Sequence, residues 1–145
     1  MPEGVVLAFD FGTRRIGVAV GEAALGQGRP LTTIDAKNRE TRFLTISELI
    51  EAWQPSRLVV GLPLRLDGGE HELTRRCRRF ANQLHGRFGL PVELVDERLT
   101  SVAAEVTLKD GGYDWKTRKA ASDAMAAKLI LQDYFDAATR RGSAL

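Results

Sequence analysis

Cysteine is nearly absent: Cys77 is the only one in 145 residues. An internal disulfide is therefore impossible, and a thiolate metal site cannot form. Long apolar runs are missing too. The longest, such as Val5–Phe9, are a handful of residues, against the ~20 needed to cross a bilayer. The N-terminus lacks the basic-then-apolar pattern of a secretory leader. These absences lead us to expect a cytoplasmic protein with no membrane partner. A large charge excess is lacking as well. Twenty-one basic residues against nineteen acidic ones give a net charge of +2, unlike a chromatin-type polycation.

What remains is ordinary for a globular chain, with 43% apolar and 28% charged residues. A chain of this length can bury roughly 68–70% of its unfolded surface, so residues 1–145 are expected to form one domain without help from a metal. The basic residues are lopsided, sixteen Arg against five Lys. Arg favours planar, bidentate contacts with phosphate, which suits a nucleic-acid or nucleotide ligand. A GC-rich genome would give the same bias, so composition leaves function open.

Val5–Phe11 is rich in β-formers, and Ile16–Val20 reads as a second strand joined to it by the short link Gly12–Arg15, which suits a hairpin. Gly21–Gly28 reads as a loop and Leu31–Ile34 as a third strand. From Arg39 to Trp53 apolar residues fall at helical spacing, stopped by Pro55. Leu58-Val59-Val60 is a strand covered on both faces. Glu70–Phe88 is a helix with Leu73, Cys77, Phe80, Leu84 and Phe88 on one stripe and Arg75, Arg78, Arg79 and Asn82 on the other side. Pro91–Val95 is the last strand. Helices over Ser101–Lys109 and Thr117–Ala138 follow, separated by Gly111-Gly112. The order βββαβαβαα predicts an α/β fold whose first three strands can be antiparallel and whose later ones arrive by helical crossovers.

Three acids stand in unusual places. Asp10 lies inside an apolar strand, where a charge costs several kcal/mol unless it is paired, metal-bound or at the strand's open end. Asp96 and Glu97 follow a strand directly, where crevice residues of an open α/β sheet collect. Strand alternation does not decide between these two. Asp123 lies on or beside the apolar face of the last helix, with Ala127, Ile130, Leu131 and Tyr134. Each acid alone could be a cap or a partner for some Arg. Together, with no convergent His or Cys, they point to an oxygen-only site for Mg²⁺ or Mn²⁺, suited to phosphoryl chemistry.

FDFGTRRIGVAV (Phe9–Val20), VVGLPLRLDG (Val59–Gly68), VDERLTS (Val95–Ser101) and SDAMAAKLILQDYF (Ser122–Phe135) stand in this order along nearly the whole chain. In these motifs the sequence resembles the YqgF/RuvX family, described both as Holliday junction resolvases and as pre-16S rRNA nucleases. Ser122 departs from the apolar residue expected there. The resemblance implies a single-domain RNase H-like fold, a five-stranded mixed sheet with helices on both faces. It carries the catalytic and metal-binding roles over to Asp10, Glu97 and Asp123, with one or two Mg²⁺ or Mn²⁺ ions. It also implies a nucleic-acid partner, precursor rRNA first with ribosomal particles as a further partner, or Holliday junction DNA in recombination and repair, and either a monomer or a homodimer; the sequence does not choose between the two substrates.

Other residues are candidates for nucleic-acid contact. Gly12 and Thr13 can offer backbone N–H groups to a phosphate, and Arg14 or Arg15 can reach the backbone. Arg98 could orient Glu97 or meet a phosphate. Arg75, Arg78 and Arg79 could contact phosphates or form a solvated face. Lys109, Lys116, Arg118 and Lys119, with Tyr113 and Trp115, could grip single-stranded RNA by charge and stacking. Gly61-Leu62-Pro63 could shape the crevice floor. His71 and His85 are read as ordinary surface residues.

Two other function classes compete with a nuclease. An Asp-x-Gly-Thr hairpin also opens sugar-kinase and actin-like folds, but those clamp nucleotide between two such domains, and this chain has room for one. A non-catalytic RNA-binding module would gain nothing from anions facing phosphate, and the full set of acids argues against it.

Overall fold

In the computed structural model, which describes residues 4–64, 67–97 and 115–143, Val5–Phe11 forms β1 and Arg15–Glu22 forms β2. They pair antiparallel, from Val5 opposite Glu22 to Phe11 opposite Ile16. Gly12 is required at the turn, because a Cβ there would stand 2.6 Å from the Arg15 carbonyl oxygen. Strand β3 (Gln27–Asp35) pairs antiparallel with all of β2. The loop expected over Gly21–Gly28 is therefore a correction: only Ala23–Gly26 turns, with Gly26 in the left-handed region at φ 66°. Glycines at 21 and 28 hide strand periodicity, since they have no side chain to alternate.

Helix α1 (Arg39–Trp53) starts where Asn38 Oδ1 accepts from the N–H groups of Glu40 and Thr41. It ends at Gln54 in the left-handed conformation, and Pro55 then opens β4 (Pro55–Leu62). The expected proline stop is thus also the first residue of a strand that runs well past Leu58–Val60. Helix α2 (Glu72–Phe88) begins two residues later than expected, because Glu70 lies outside it and pairs back with Arg78 at 2.9 Å. Strand β5 (Val92–Asp96) and the long helix α3 (Trp115–Ser143) complete the described elements. The helix expected over Ser101–Lys109 lies outside the described residues.

The sheet order is β3-β2-β1-β4-β5, with β1, β4 and β5 parallel and the first three strands antiparallel. The expected five-stranded mixed sheet with helices on both faces is what forms. Alternation sorts each strand between two cores. Leu7, Phe9, Ile16, Val18, Leu58 and Val60 meet Phe43 and Ile46 of α1 and Cys77, Phe80 and Leu84 of α2. Val6, Ala8, Ala19 and Val59 meet Ala127, Ile130, Leu131, Tyr134 and Phe135 of α3. The predicted stripes of both long helices are therefore their buried faces.

The α3 core is thin for a stated reason. A Cβ on Gly17 would stand 1.9 Å from the Asp123 carbonyl oxygen, and one on Gly28 would meet Leu131 at 3.0 Å. Glycine lets the helix backbone rest almost directly on the sheet. Gln132 fixes the helix lengthwise, accepting from the Gly28 N–H at 3.2 Å and donating to the Gly26 carbonyl at 2.9 Å.

Candidate active site

Asp10 is the next residue after Val6 and Ala8 on the α3 side of β1, at the strand's C-terminal end. Its partner across the hairpin is Gly17. Because α3 rests on Gly17 at the level of Asp123, the register of one hairpin and the closeness of one helix bring Asp10 and Asp123 together. Glu97 comes from the other side. It follows β5 directly, where its N–H donates to the Leu62 carbonyl at 3.2 Å. Its side chain folds back over β4 into space that exists because residue 61 is glycine. A Cβ on Gly61 would stand 2.8 Å from the Glu97 carboxyl carbon and 2.4 Å from Ile130 Cδ1.

Glu97 is 7% exposed, and its Oε2 is buried with no hydrogen-bond partner among the described residues. Its neighbour Asp96 is exposed. Strand alternation left the choice between these two open; burial places Glu97 against Asp10. The two carboxyls are close enough that each perturbs the other's titration. Burial, then the charge of Asp10, pushes Glu97 up to about 9. Burial, then the charge of Asp123, pushes Asp10 up to about 7, against the lowering effect of the Glu97 hydrogen bond. Both shifts have the sign expected when carboxylates are crowded in a poorly solvated place.

Asp123 is held differently. Arg15, on the same side of β2 as Gly17, donates from Nε to Asp123 Oδ2 at 2.7 Å. Among the described residues no three Asp, Glu, His or Cys side chains already form a ligand cluster. The arrangement is a crowded carboxyl pair, Asp10 and Glu97, with a third carboxylate close enough to perturb Asp10 and paired with an arginine. A divalent cation suits this set: the donors are all hard oxygens, and the orphaned Glu97 Oε2 is a buried acceptor that nothing else satisfies.

The other expected residues fall in different places. Thr13 lines a cavity on the α1–α2 side, together with Arg75 and Arg79. Arg78 is tied to Glu70. The side chain of Arg14 is exposed, and its carbonyl accepts from the Ala36 N–H at 2.8 Å. Pro63 is fixed by the Thr74 hydroxyl, which donates to its carbonyl, so the Gly61-Leu62-Pro63 segment is held under Glu97 by α2. His71 and His85 stand away from the acids, the latter with Nδ1 against the Leu90 carbonyl at 2.9 Å. Arg98, Lys109 and Tyr113 lie outside the described residues, as do the side chains of Trp115, Lys116, Arg118 and Lys119 in the first turns of α3.

Sequence reasoning missed Gly17, although a glycine inside an otherwise apolar strand is a signal of close backbone approach. It also missed Arg39, Arg42 and Arg76, which line the cavity beside Arg75 and Arg79. Only folding brings α1 and α2 together there.

Comparison with known proteins adds three findings. The family model described as "RuvX: Holliday junction resolvase" matches residues 4–137. The chain is 57% identical over 133 residues to a protein of Methylobacillus flagellatus named "Putative pre-16S rRNA nuclease", covering 92% of this chain and 91% of that one. It is 54% identical over 136 residues to a protein of the same name from Bordetella avium, covering 94% and 98%. Among solved structures it is similar to Thermus thermophilus RuvC, with a TM-score of 0.54 at 15% identity over 93% of this chain and 96% of that one. A Fowlpox virus resolvase solved with Holliday junction DNA gives a TM-score of 0.56 at 8% identity over 92% and 97%. At such identities the likeness is one of fold, the RNase H-like fold expected from the sequence motifs.

Proposed function

The chain belongs to the RuvX family, and from that premise we propose that it is a divalent-metal-dependent nuclease whose substrate is the precursor of 16S rRNA, cut near its 5′ end in the cytoplasm during ribosome assembly. The observation that carries this reading is the buried Glu97 with its orphaned Oε2, set against the half-buried Asp10 and beside Asp123 at the open end of β1. An anion-binding module has no use for two crowded carboxyls that resist ionisation.

Asp10, Glu97 and Asp123 would hold the Mg²⁺ or Mn²⁺. When bound, such an ion supplies charge neutralisation for the scissile phosphate and acidifies water for attack on it. The chain's own contribution is placement. Gly17 and Gly61 let the three carboxyls approach, β1 and β5 fix two of them on rigid elements, and α3 presents the third. Asp10 and Glu97, both raised above the ordinary carboxylate range, must ionise to hold a cation, so occupancy should improve as pH rises. Arg15 orients Asp123 and is near enough to the carboxylates to meet a phosphate arriving there.

Resolution of DNA junctions is the second reading, favoured by the family's own description. It uses the same acids, but symmetric cutting calls for a dimer. One experiment separates them. Purified protein with Mg²⁺ is offered a 5′-extended 16S precursor fragment and a four-way DNA junction, while its oligomeric state is measured. We expect cleavage of the RNA, loss of it in Asp10→Asn, and intact junctions. Paired symmetric cuts in the junction by a dimer, with the RNA untouched, would reverse the choice. Cleavage that survives both Asp10→Asn and chelation would place the active site elsewhere.

A further inference from the structure

Beside the β1–β2 turn, on the sheet face opposite the acids, lies a cavity of about 480 Å³ between α1 and α2. Its walls carry five guanidinium groups, from Arg39 and Arg42 of α1 and Arg75, Arg76 and Arg79 of α2, with Phe11 and Thr13 at its inner end. One carboxylate, Glu72, also lines it and is matched by Arg76 at 3.5 Å. Arg39, Arg75 and Arg79 form no ion pair among the described residues. Arg42 is more constrained. Its NH2 group donates to the Ala36 carbonyl at 2.9 Å and its guanidinium lies 5.5 Å from the centre of the Phe11 ring. Its Nε, however, is buried without a partner. Burial, then the charge of Arg39, makes the Arg42 proton easier to lose than that of an ordinary arginine.

Cations are thus concentrated in a concave site beyond what the described residues neutralise, and one of them keeps a buried donor unsatisfied among those residues. Like charges gathered in this way repel unless an anion joins them. Arginine's flat fork is matched to the oxygens of phosphate, and several forks around one cavity suit more than one phosphate group. Placement identifies the source. Phe11 and Thr13 belong to the same strand end and turn as Asp10, and strand alternation puts Phe11 and Asp10 on opposite faces. A polynucleotide crossing the Gly12–Thr13 turn passes from the carboxylates to the arginines.

We propose that this arginine cavity is a phosphate-binding pocket that holds the backbone of the single-stranded segment flanking the cleavage point. It rests on the nuclease reading only for the identity of the strand; the phosphate chemistry stands without it.

The test is binding of a short single-stranded RNA oligomer in EDTA, where cleavage does not intervene, over a range of salt. The full chain is compared with R39Q/R79Q and with R78Q, whose arginine is on the same helix but already tied to Glu70. All three altered side chains are exposed, and circular dichroism checks the fold. The double variant should bind more weakly, with a log–log salt slope shallower by about 1.4, at ~0.7 per lost phosphate contact on a single strand. R78Q should keep the parent slope. A parent-like slope in the double variant overturns the proposal. So does an equal flattening in R78Q, which would mean a diffuse field rather than a pocket. Melting with inorganic phosphate and with a mononucleotide separates the sources. Strong protection of the parent, lost in R39Q/R79Q while the RNA slope is unmoved, would make this a small-anion site and overturn the strand assignment. If the parent cleaves no nucleic acid yet shows the slope change, the nuclease reading fails and the pocket stands.

Discussion

On the face covered by α1 and α2, the sheet presents Phe9, Phe11, Ile16, Val18 and Leu58, and large side chains keep the helices at a distance. On the face covered by α3 it presents Val6, Ala8, Gly17, Ala19 and Gly61, and a helix backbone comes down almost onto the strand. The first face gets its stability from bulk, and the charges that line its cavity are all arginine but one. The second gives up bulk at the positions nearest Asp10, and the space left is where carboxyls can be buried beside one another. Opposite charges collect at the two sides of the same strand end because each side provides a different kind of room.

This contrast is open to attack by substitution at glycines. Gly17→Ala should have the largest effect. Its Cβ would stand 1.9 Å from a helix carbonyl that has no rotamer with which to yield, so α3 must move as a body. Chemical denaturation should show a loss of about 3 kcal/mol or more, at the upper end of overpacking costs. A variant of parent stability would mean that α3 does not sit so close. Gly61→Ala should cost less, about 1–3 kcal/mol, because Ile130 Cδ1 and the Glu97 carboxyl can shift. Its cleavage rate should nonetheless fall with Gly17→Ala, since the space it fills belongs to Glu97. Full activity in Gly61→Ala would dissociate Glu97 from the reaction.

The Arg15–Asp123 pair beside the acids should respond weakly. Arg15→Gln removes an ion pair that is about a third exposed on the arginine side, and should change stability by less than about 1 kcal/mol. Its effect should appear instead in turnover, with Asp123 released. Smallest, and opposite in sign, is Gly86→Ala on α2. Nothing lies within 4 Å of the added carbon, and the unfolded chain loses freedom. A gain of about 0.4–1 kcal/mol is expected. A loss there would mean that α2 needs glycine at this exposed position.

The elements most legible in the sequence were those with large, periodic side chains. The stripe Cys77, Phe80 and Leu84 and the run Ala127, Ile130, Leu131 and Tyr134 are the buried faces they were expected to be. Illegibility follows glycine. The β2–β3 turn was read as too long because Gly21 and Gly28 carry no side chain to alternate, although both lie in strands. Asp10 stood out as a charge in an apolar strand. The choice of Glu97 over Asp96 did not, because alternation lapses at a strand end, and the empty space over Gly61 that admits Glu97 is a property of three segments at once. The arginine cavity was half legible. Arg75 and Arg79 share a helix face, but Arg39 and Arg42 join them only after two crossovers.

We propose that Asp10, Glu97 and Asp123 form a site that is strained without a cation and relaxed by one. Both members of the buried pair have folded-state pKa values raised above those of the unfolded chain, Asp10 to about 7 and Glu97 to about 9. Such groups favour the fold below their unfolded values, near 4, and that advantage is lost as pH rises through the folded ones. The most direct measurement is the melting temperature of the parent and of Asp10→Asn from pH 5 to 9, in EDTA and in Mn²⁺. In EDTA the parent should lose stability as pH rises, and Asp10→Asn should lose less and melt at or above the parent near pH 8. Mn²⁺ should restore the parent at high pH and do much less for the variant, which lacks a ligand. A parent that gains stability with pH in EDTA, or Mn²⁺ raising both proteins equally, would contradict the account.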